Sequence, residues 1–124
     1  MMKPLALLLH EKPVPGTQLR NKLEGLEYRV ATVSDPRDLV TTATREMPMV
    51  VVADLTNRQG DVLAAVAAMR VNEATSHVPV IAYGPREDGQ QRETALAAGV
   101  KVMATEATIV PHLAQFLEHA LQLE

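Results

Sequence analysis

One imidazole and three carboxylates stand out among the polar side chains of this 124-residue sequence as candidates to hold a divalent cation together. Imidazoles and carboxylates are suitable ligands, so His10, Glu11, Asp54 and Glu106 could together bind one such ion. These residues stand far apart along the chain, and only a fold that gathers them would form the site. The simpler interpretation is a solvated acidic rim, and we favour it.

Other catalytic groups are scarce. The chain has no cysteine, which excludes disulfides, thiol catalysis and thiolate metal sites. Its only serines, Ser34 and Ser76, stand at predicted helix ends, where a capping role is the ordinary interpretation. His77, His112 and His119 have no metal-like spacing and are expected at the surface. No nucleophile–histidine–acid arrangement can be assembled, so we do not predict an enzyme.

The position of Asp54 follows from the stretch that precedes it, residues 48–54 (PMVVVAD). This run is apolar, contains β-branched residues and is too short for a helix, so it predicts a strand buried on both faces. Such strands occur in parallel sheets that helices cover above and below. Ligands bind such open sheets at the carboxyl ends of the strands, so Asp54 is predicted to lie where the fold does its chemistry.

Strand and helix patterns alternate along the chain, which predicts a parallel sheet with right-handed crossovers. We predict a flavodoxin-like (βα)₅ fold, a three-layer α/β sandwich whose parallel sheet has the order 2-1-3-4-5. Residues 10–13 replace a Gly-rich phosphate loop after the first strand, which argues against a nucleotide-binding Rossmann domain or a P-loop. The predicted strands are 5–9, 29–33, 48–54, 78–83 and 100–104.

Helix starts are predicted from capping residues. Asp35, Asp61 and Asp88 stand at the start of the second, third and fourth helices, and Thr108 is predicted to cap the last one. With few aromatic residues available, methionine is expected to fill the core, and the residues concerned are Met47, Met49, Met69 and Met103.

Composition excludes several classes of partner. The net charge is −3 and no block of like charges occurs, so we expect neither nucleic acid nor an anionic membrane as a partner. No segment approaches the roughly 20 apolar residues of a membrane span. The apolar run at residues 5–9 is too short for a secretory signal. We predict one cytoplasmic domain over residues 1–124, without an output domain because the chain stops after the last helix.

Three stretches carry a resemblance to a known family. Residues 48–54 resemble the strand that ends in a phosphorylated aspartate, and residues 78–84 (VPVIAYG) resemble the fourth strand of that family. Residues 95–100 (ALAAGV) resemble the Ala-Gly-Ala signature before its fifth strand. Over its whole length the chain thus resembles the CheY-like receiver domain of two-component response regulators. The resemblance implies the same fold and a role in phosphorelay signal transduction.

The active-site positions depart from that family's pattern. Asp54 matches the phosphoacceptor, but the acidic pair that helps to hold Mg²⁺ falls on His10 and Glu11. The family's Thr or Ser at the end of the fourth strand falls on Gly84, and its near-invariant Lys falls on Glu106. The resemblance therefore implies a degenerate acidic pocket that lacks the hydroxyl and the ammonium.

Two further family features are replaced. Asn57 and Arg58 stand where Met-Pro follows the phosphoacceptor, and Met103 stands in place of the switch aromatic. Phosphorylation puts a dianion on a buried carboxylate, which needs a divalent cation and a fixed ammonium. Since the matching ammonium and hydroxyl are absent, we interpret the chain as a pseudo-receiver in which phosphorylation of Asp54 is weak or absent.

The two carboxylates left at the family's metal positions are Glu11 and Asp54. We expect them to hold Mg²⁺ weakly at most, and we expect no other cofactor. Alternatively, Arg58 or Lys12 could pair with Asp54 and form a fixed ion pair in place of a phosphoryl group.

A pseudo-receiver would act through protein contact, with a histidine kinase, a downstream signalling protein or a second copy of the chain as partner. The resemblance places the contact on the fourth helix, fifth strand and fifth helix, around Arg92, Lys101, Met103 and His112. Two alternatives stay open. One is a phosphorylatable single-domain response regulator that uses Asp54. The other is a small flavodoxin-like ligand-binding domain or enzyme with a closed pocket beside that residue.

Overall fold

A computed structural model describes residues 3–122. Its five strands form one sheet with the order β2-β1-β3-β4-β5, and every neighbouring pair is parallel. The predicted flavodoxin-like order 2-1-3-4-5 is confirmed. The fourth strand begins later than predicted because Pro79 has no N–H to donate to the ladder. The strands are β1 (Leu5–Leu9), β2 (Arg29–Val33), β3 (Val50–Asp54), β4 (Val80–Gly84) and β5 (Val102–Thr105).

Helices cover both faces of the sheet. α2, α3 and α4 pack on one face around Leu39, Val66 and Ala95, and α1, α5 and α6 pack on the other around Leu19 and Leu113. The three-layer sandwich is therefore confirmed. The helices are α1 (Pro13–Gly25), α2 (Leu39–Glu46) preceded by a 3₁₀ turn (Pro36–Asp38), α3 (Val62–Val71), α4 (Gly89–Ala98), α5 (Glu106–Ile109) and α6 (Leu113–Ala120).

Three predicted helix starts are made by aspartate side chains. Asp61 accepts a hydrogen bond from the N–H of Ala64 at the start of α3, and Asp88 caps α4 from the residue before it. Asp35 does the same for the 3₁₀ turn. Each cap satisfies backbone N–H groups that have no partner inside the helix.

The last helix differs from the prediction, because it is broken in two. Pro111 has no N–H for a helical hydrogen bond, and the chain turns there between α5 and α6. Thr108 is not the N-cap of the pair. Thr105 is the cap, and Thr108 completes a capping box by accepting from the N–H of Thr105.

Two of the four core methionines were placed wrongly by sequence. Met47 is 78% exposed and Met49 is 49% exposed, whereas Met69 is buried and Met103 packs against the core. The reason is local, because α2 ends at Glu46 and Met47 adopts a left-handed conformation with φ of 52°. That turn carries its side chain off the inner face of the helix. Among residues 3–122, no helix is long and apolar enough to cross a membrane.

Candidate functional site

Asp54 lies at the carboxyl end of the central strand. All five residues of β3 are buried, and Asp54 itself is only 1% exposed. The parallel register pairs Asp54 with Tyr83 of β4 and Ala53 with Leu9 of β1. Neighbouring loops therefore leave the sheet beside this carboxylate, as the open α/β fold requires of a ligand site.

The Asp54 carboxylate is bound by its own loop. Its Oδ1 accepts hydrogen bonds from the backbone N–H of Thr56 at 2.8 Å and from the hydroxyl of Thr56 at 2.6 Å. The ammonium of Lys12 donates to the same hydroxyl at 3.0 Å. Thr56 thus accepts from a cation and donates to an anion, and this polarises its O–H toward Asp54. Lys12 reaches Asp54 through Thr56 instead of forming the direct ion pair considered from the sequence.

Asn57 anchors the same loop to the segment that follows β2. Its side chain is largely buried, and its Nδ2 donates to the carbonyl oxygen of Ser34 at 2.7 Å. Its Oδ1 accepts from the N–H of Gln59 at 2.8 Å. A buried amide with both ends bonded fixes the loop that carries Thr56. Sequence comparison marked Asn57 only as a departure from the family, and the structure gives it a structural role.

Glu11 is also engaged by this loop. Its Oε1 accepts a hydrogen bond from the backbone N–H of Arg58. The Arg58 side chain makes no ion pair with Asp54 among the interactions of residues 3–122. Glu11 therefore links the β1–α1 loop to the β3–α3 loop.

His10 is half-buried and turned toward its own loop. Its Nδ1 lies 2.9 Å from the carbonyl oxygen of Lys12, so Nδ1 carries the proton of that hydrogen bond. The ring lies against Gly16, where an added Cβ would stand 2.2 Å from Nδ1. This glycine therefore makes room for the imidazole, which supports the β1–α1 loop.

Gly84, at the end of β4, lies beside the side chains of Gln91 and Met103. A Cβ at this position would lie 2.5 Å from the Oε1 of Gln91 and 3.5 Å from the Cε of Met103. The Gln91 side chain, from the first turns of α4, thus fills the space that a threonine side chain would need. No sequence signal pointed to Gln91, since its reach depends on how α4 packs on the sheet.

Glu106 has a local reason to be where it is. It is the first residue of α5, immediately after the cap residue Thr105, and it is half-buried. An acidic side chain in the first turn interacts favourably with the positive end of the helix dipole. The carboxylate of Glu106 therefore suits the start of α5.

Tyr83 was missed by the sequence analysis. Its side chain is completely buried, and its hydroxyl has no hydrogen-bond partner within residues 3–122. Burial raises the pKa of the Tyr83 phenol well above its ordinary value, and the negative charges of Asp54 and Glu106 raise it further. A neutral, unpaired hydroxyl therefore lies within electrostatic range of two carboxylates. The signal in the sequence was a tyrosine inside an otherwise aliphatic strand.

The residues of the predicted acidic pocket meet at one edge of the sheet, but they do not form a metal site as arranged. No three His, Asp or Glu side chains in the described part of the chain lie close enough to hold a metal ion. Glu11 and one oxygen of Asp54 already accept hydrogen bonds from the loop. Mg²⁺ keeps several waters and commonly binds through one or two carboxylates, and the oxygens of Glu11 and Asp54 that accept no hydrogen bond within residues 3–122 are the ones that would hold it.

The predicted interaction residues lie together on the α4–β5–α6 face. One shallow depression of about 320 Å³ is lined by Arg92, Met103, His112 and others. A neighbouring one of about 350 Å³ is lined by Arg92, Lys101, Met103 and others. Phe116 of α6 contributes to both. The tertiary structure thus gathers the four predicted residues, and the face combines cationic with apolar side chains.

Comparison with solved structures identifies the fold. The receiver domain of a sensor histidine kinase from Pseudomonas aeruginosa PAO1, with magnesium in its active-site cleft, superposes with a TM-score of 0.85. It is 26% identical, and the match covers 96% of this chain and 98% of that one.

A two-component response regulator of the LuxR family from Aurantimonas gives a TM-score of 0.84 at 19% identity, over 96% of this chain and 85% of that one. A chemotaxis response regulator of Vibrio cholerae gives 0.79 at 15% identity, over 92% and 98%. No protein-family model matches the chain, and no curated protein sequence does. The order of the sheet, the buried strand-end aspartate and these superpositions agree: this chain has the fold of the CheY-like receiver domains of two-component response regulators.

Proposed function

We propose that residues 1–124 act as a receiver-like signalling domain in which conventional phosphorylation of Asp54 is weak or absent. The observation that carries this proposal is the engagement of the Asp54 carboxylate by Thr56, at 2.8 Å from the N–H and 2.6 Å from the hydroxyl, with Asp54 only 1% exposed. A nucleophilic carboxylate must present a free oxygen lone pair to the incoming phosphorus. Here Oδ1 accepts both bonds, so only Oδ2 is left to act as the nucleophile, on a side chain that is almost fully enclosed.

The surroundings of Asp54 support the same conclusion. A transferred phosphoryl group needs cationic groups fixed where its charge develops. Glu106 supplies an anion at the matching position, and Glu11 is committed to the N–H of Arg58. Gln91 occupies the space beside Gly84 that a hydroxyl-bearing side chain would use. The charge of Glu106 and the position of Gln91 disfavour the phosphorylated state, and the bond that Glu11 makes to Arg58 weakens Mg²⁺ binding.

A domain of this kind would signal by binding another protein through its surface. We place the binding surface on the α4–β5–α6 face, where Arg92, Met103 and His112 border one depression and Lys101 borders the next. Apolar side chains surrounded by polar ones are typical of protein contact sites. The partner is a protein of a two-component pathway, such as a histidine kinase or a downstream signalling protein, or a second copy of the chain.

A phosphorylation mimic tests the proposal. Beryllofluoride with Mg²⁺ is added to ¹⁵N-labelled protein, and amide shifts around Asp54 are followed by NMR. We expect no Mg²⁺-dependent shift in the native chain. A variant that combines Gly84→Thr, Gln91→Ala and Glu106→Lys restores the hydroxyl, its space and the ammonium, and we expect it to gain the response. Asp54→Asn in that variant is the matched control and removes the gain. Strong shifts in the native chain that Asp54→Asn abolishes would overturn the proposal.

One observation favours a second candidate, a phosphorylatable regulator with a rearranged pocket. Lys12 and Thr56 place an ammonium and a hydroxyl next to Asp54, although they come from other positions than the family's Lys and Thr. The same titration separates the two candidates. If this pocket accepts a phosphoryl group, the native chain responds and Lys12→Met loses the response, while Glu106→Gln strengthens it.

A further inference from the structure

A second concave region lies at the opposite end of the sheet, where the strands begin. It consists of two adjoining depressions of about 670 Å³ and about 380 Å³, which share Met49 and His77. The larger lies below the amino ends of β3, β4 and β5, beside the carboxyl ends of α3, α4 and α6. The smaller continues below β1 and β2. We call the two together the amino-end groove, and none of the Asp54 pocket residues lines it.

The floor of the amino-end groove is apolar and adaptable. Val78, Pro79 and Val100 line the larger depression, and the exposed Met47 and Met49 line the smaller. These two methionines are 78% and 49% exposed and border the same depression, and adjacent exposed apolar side chains of this kind are typical of contact sites. Unbranched thioether side chains fit varied apolar surfaces, and this is why methionine recurs in peptide-binding sites.

The rim of the groove is basic. Arg70, His77 and Lys101 line the larger depression, and Lys3 and Arg29 line the smaller. No Asp or Glu of the described chain lines either one, although the whole chain carries a net charge of −3. Acidic residues therefore concentrate elsewhere, and the groove is a local reversal of the overall charge.

Within residues 3–122, most of these cations have no ionic partner. Among residues 3–122, the ion pairs include Lys3 with Glu27 at 3.6 Å, but none involves Arg29, Arg70 or Lys101. Lys101 donates one hydrogen bond, at 3.2 Å, to the carbonyl oxygen of Gln122 and keeps two further donors. The charges on this rim are available to an incoming anion.

Arg70 is held in place by a glycine. An added Cβ on Gly99 would stand 2.5 Å from Cγ and 2.8 Å from Cδ of Arg70, so the stem of the arginine lies directly on the glycine backbone. Gly99 also ends α4 with φ of 123°, a conformation that other residues rarely adopt. The stem of Arg70 thus packs on the backbone of Gly99, and its charged end lies at the rim of the groove.

We propose that the amino-end groove binds a segment of a partner protein in which large apolar residues are interspersed with acidic residues. Apolar side chains of the segment would enter the methionine-lined floor, and its carboxylates would meet Arg70, Arg29 and Lys101. Two adjoining depressions suit a polypeptide that runs from one to the other better than one compact ligand. A symmetric contact with a second copy would set the same basic rim against itself, so the charge favours a different, acidic partner.

The test uses a short synthetic peptide in which leucines are interspersed with aspartate and glutamate. Its binding to ¹⁵N-labelled full-length chain is followed by NMR, and the control peptide carries asparagine and glutamine instead. We expect shifts confined to residues 47–49, 76–79 and 99–101 with the acidic peptide only, weakening as salt rises. Arg70→Glu should weaken binding about tenfold. Arg86→Glu, the same charge change on an exposed residue at the other end of the sheet, should leave affinity unchanged.

Four outcomes would overturn this proposal: no shifts at millimolar peptide, equal binding of the neutral peptide, insensitivity to Arg70→Glu, or shifts at the carboxyl ends of the strands. Concentration-dependent dimerisation through the groove would also contradict it. Arg70 is exposed, so its substitution is compatible with folding, and unchanged thermal unfolding of Arg70→Glu verifies this. None of these readouts depends on Asp54 or on its phosphorylation.

Discussion

The charged side chains at the two ends of the sheet differ in sign and in how they are bonded. At the carboxyl end, Asp54 and Glu11 accept hydrogen bonds from the loop that follows β3. At the amino end, Arg29 and Arg70 border an open groove without an ionic partner in the described chain. Asp54 and Glu11 are thus bonded within the chain, whereas the amino end presents charges without an ionic partner in residues 3–122 beside apolar surface. The comparison indicates that recognition by this chain need not occur where its fold usually carries chemistry.

The largest expected effect on stability comes from removing the side chain that fixes the β3–α3 loop at the carboxyl end of the sheet. Asn57→Ala removes a buried amide and leaves the carbonyl oxygen of Ser34 and the N–H of Gln59 without these partners. We expect the free energy of unfolding to fall by about 2 kcal/mol. Urea denaturation measures this change. Gln59→Ala is the control, because Gln59 contributes only its backbone N–H and its side chain is exposed. Equal stability of the two variants would mean that the loop isn't fixed by Asn57.

A smaller loss of stability is expected from Gly99→Ala, at the amino-end groove. The new methyl group meets the stem of Arg70 at 2.5 Å, and the backbone at φ of 123° disfavours any Cβ. We expect a loss of about 1.5 kcal/mol together with weaker binding of the acidic peptide, since Arg70 must move. Chemical denaturation and the peptide titration measure the two effects. Gly25→Ala, where a Cβ meets nothing within 4 Å, should cost no stability. A loss of the same size there would refute the steric explanation.

The smallest expected change in stability comes from removing the buried hydroxyl of Tyr83, which has no hydrogen-bond partner within residues 3–122. Tyr83→Phe removes a buried group without a partner, so we expect the free energy of unfolding to rise by about 1 kcal/mol near neutral pH. The raised pKa of Tyr83 adds a pH dependence. In the unfolded chain its phenol ionises near the reference value of 10.0, while the folded state keeps it protonated, so its contribution is full below pH 10 and declines above it.

Unfolding measured between pH 8 and pH 11 should therefore show a steeper alkaline loss in the native chain than in Tyr83→Phe. Tyr28→Phe is the comparison variant, because burial also raises the pKa of Tyr28 but its side chain is only half-buried. Identical alkaline profiles for the native chain and Tyr83→Phe would show that Tyr83 ionises equally in both states.

Much of the architecture could be predicted from local patterns. Alternating apolar strands and amphipathic helices predicted a parallel sheet, for which the flavodoxin-like order is a common topology, and Asp61 and Asp88 predicted the starts of α3 and α4. These signals are local, because a cap bonds residues two or three positions ahead. The same logic failed for Met47, whose exposure depends on the residue at which α2 ends.

The candidate site was predictable in its position but not in its state. Sequence placed Asp54 at a strand end and showed which family groups are missing around it. It did not show that the hydroxyl of Thr56 faces Asp54, that Lys12 reaches that hydroxyl, or that Gln91 fills the space beside Gly84. Lys12 and Thr56 are 44 positions apart, and their contact exists only because β1 and β3 are neighbours.

By itself, then, the sequence determined the periodicity, the caps and the end of the strand on which a carboxylate stands. These follow from side-chain burial and from hydrogen bonds between near neighbours. Only the tertiary structure decided that this carboxylate is enclosed by its loop and that unpaired cations gather around exposed methionines at the other end. The physical reason is that both features arise where loops and helix ends from distant parts of the chain meet, and no local pattern encodes such meetings.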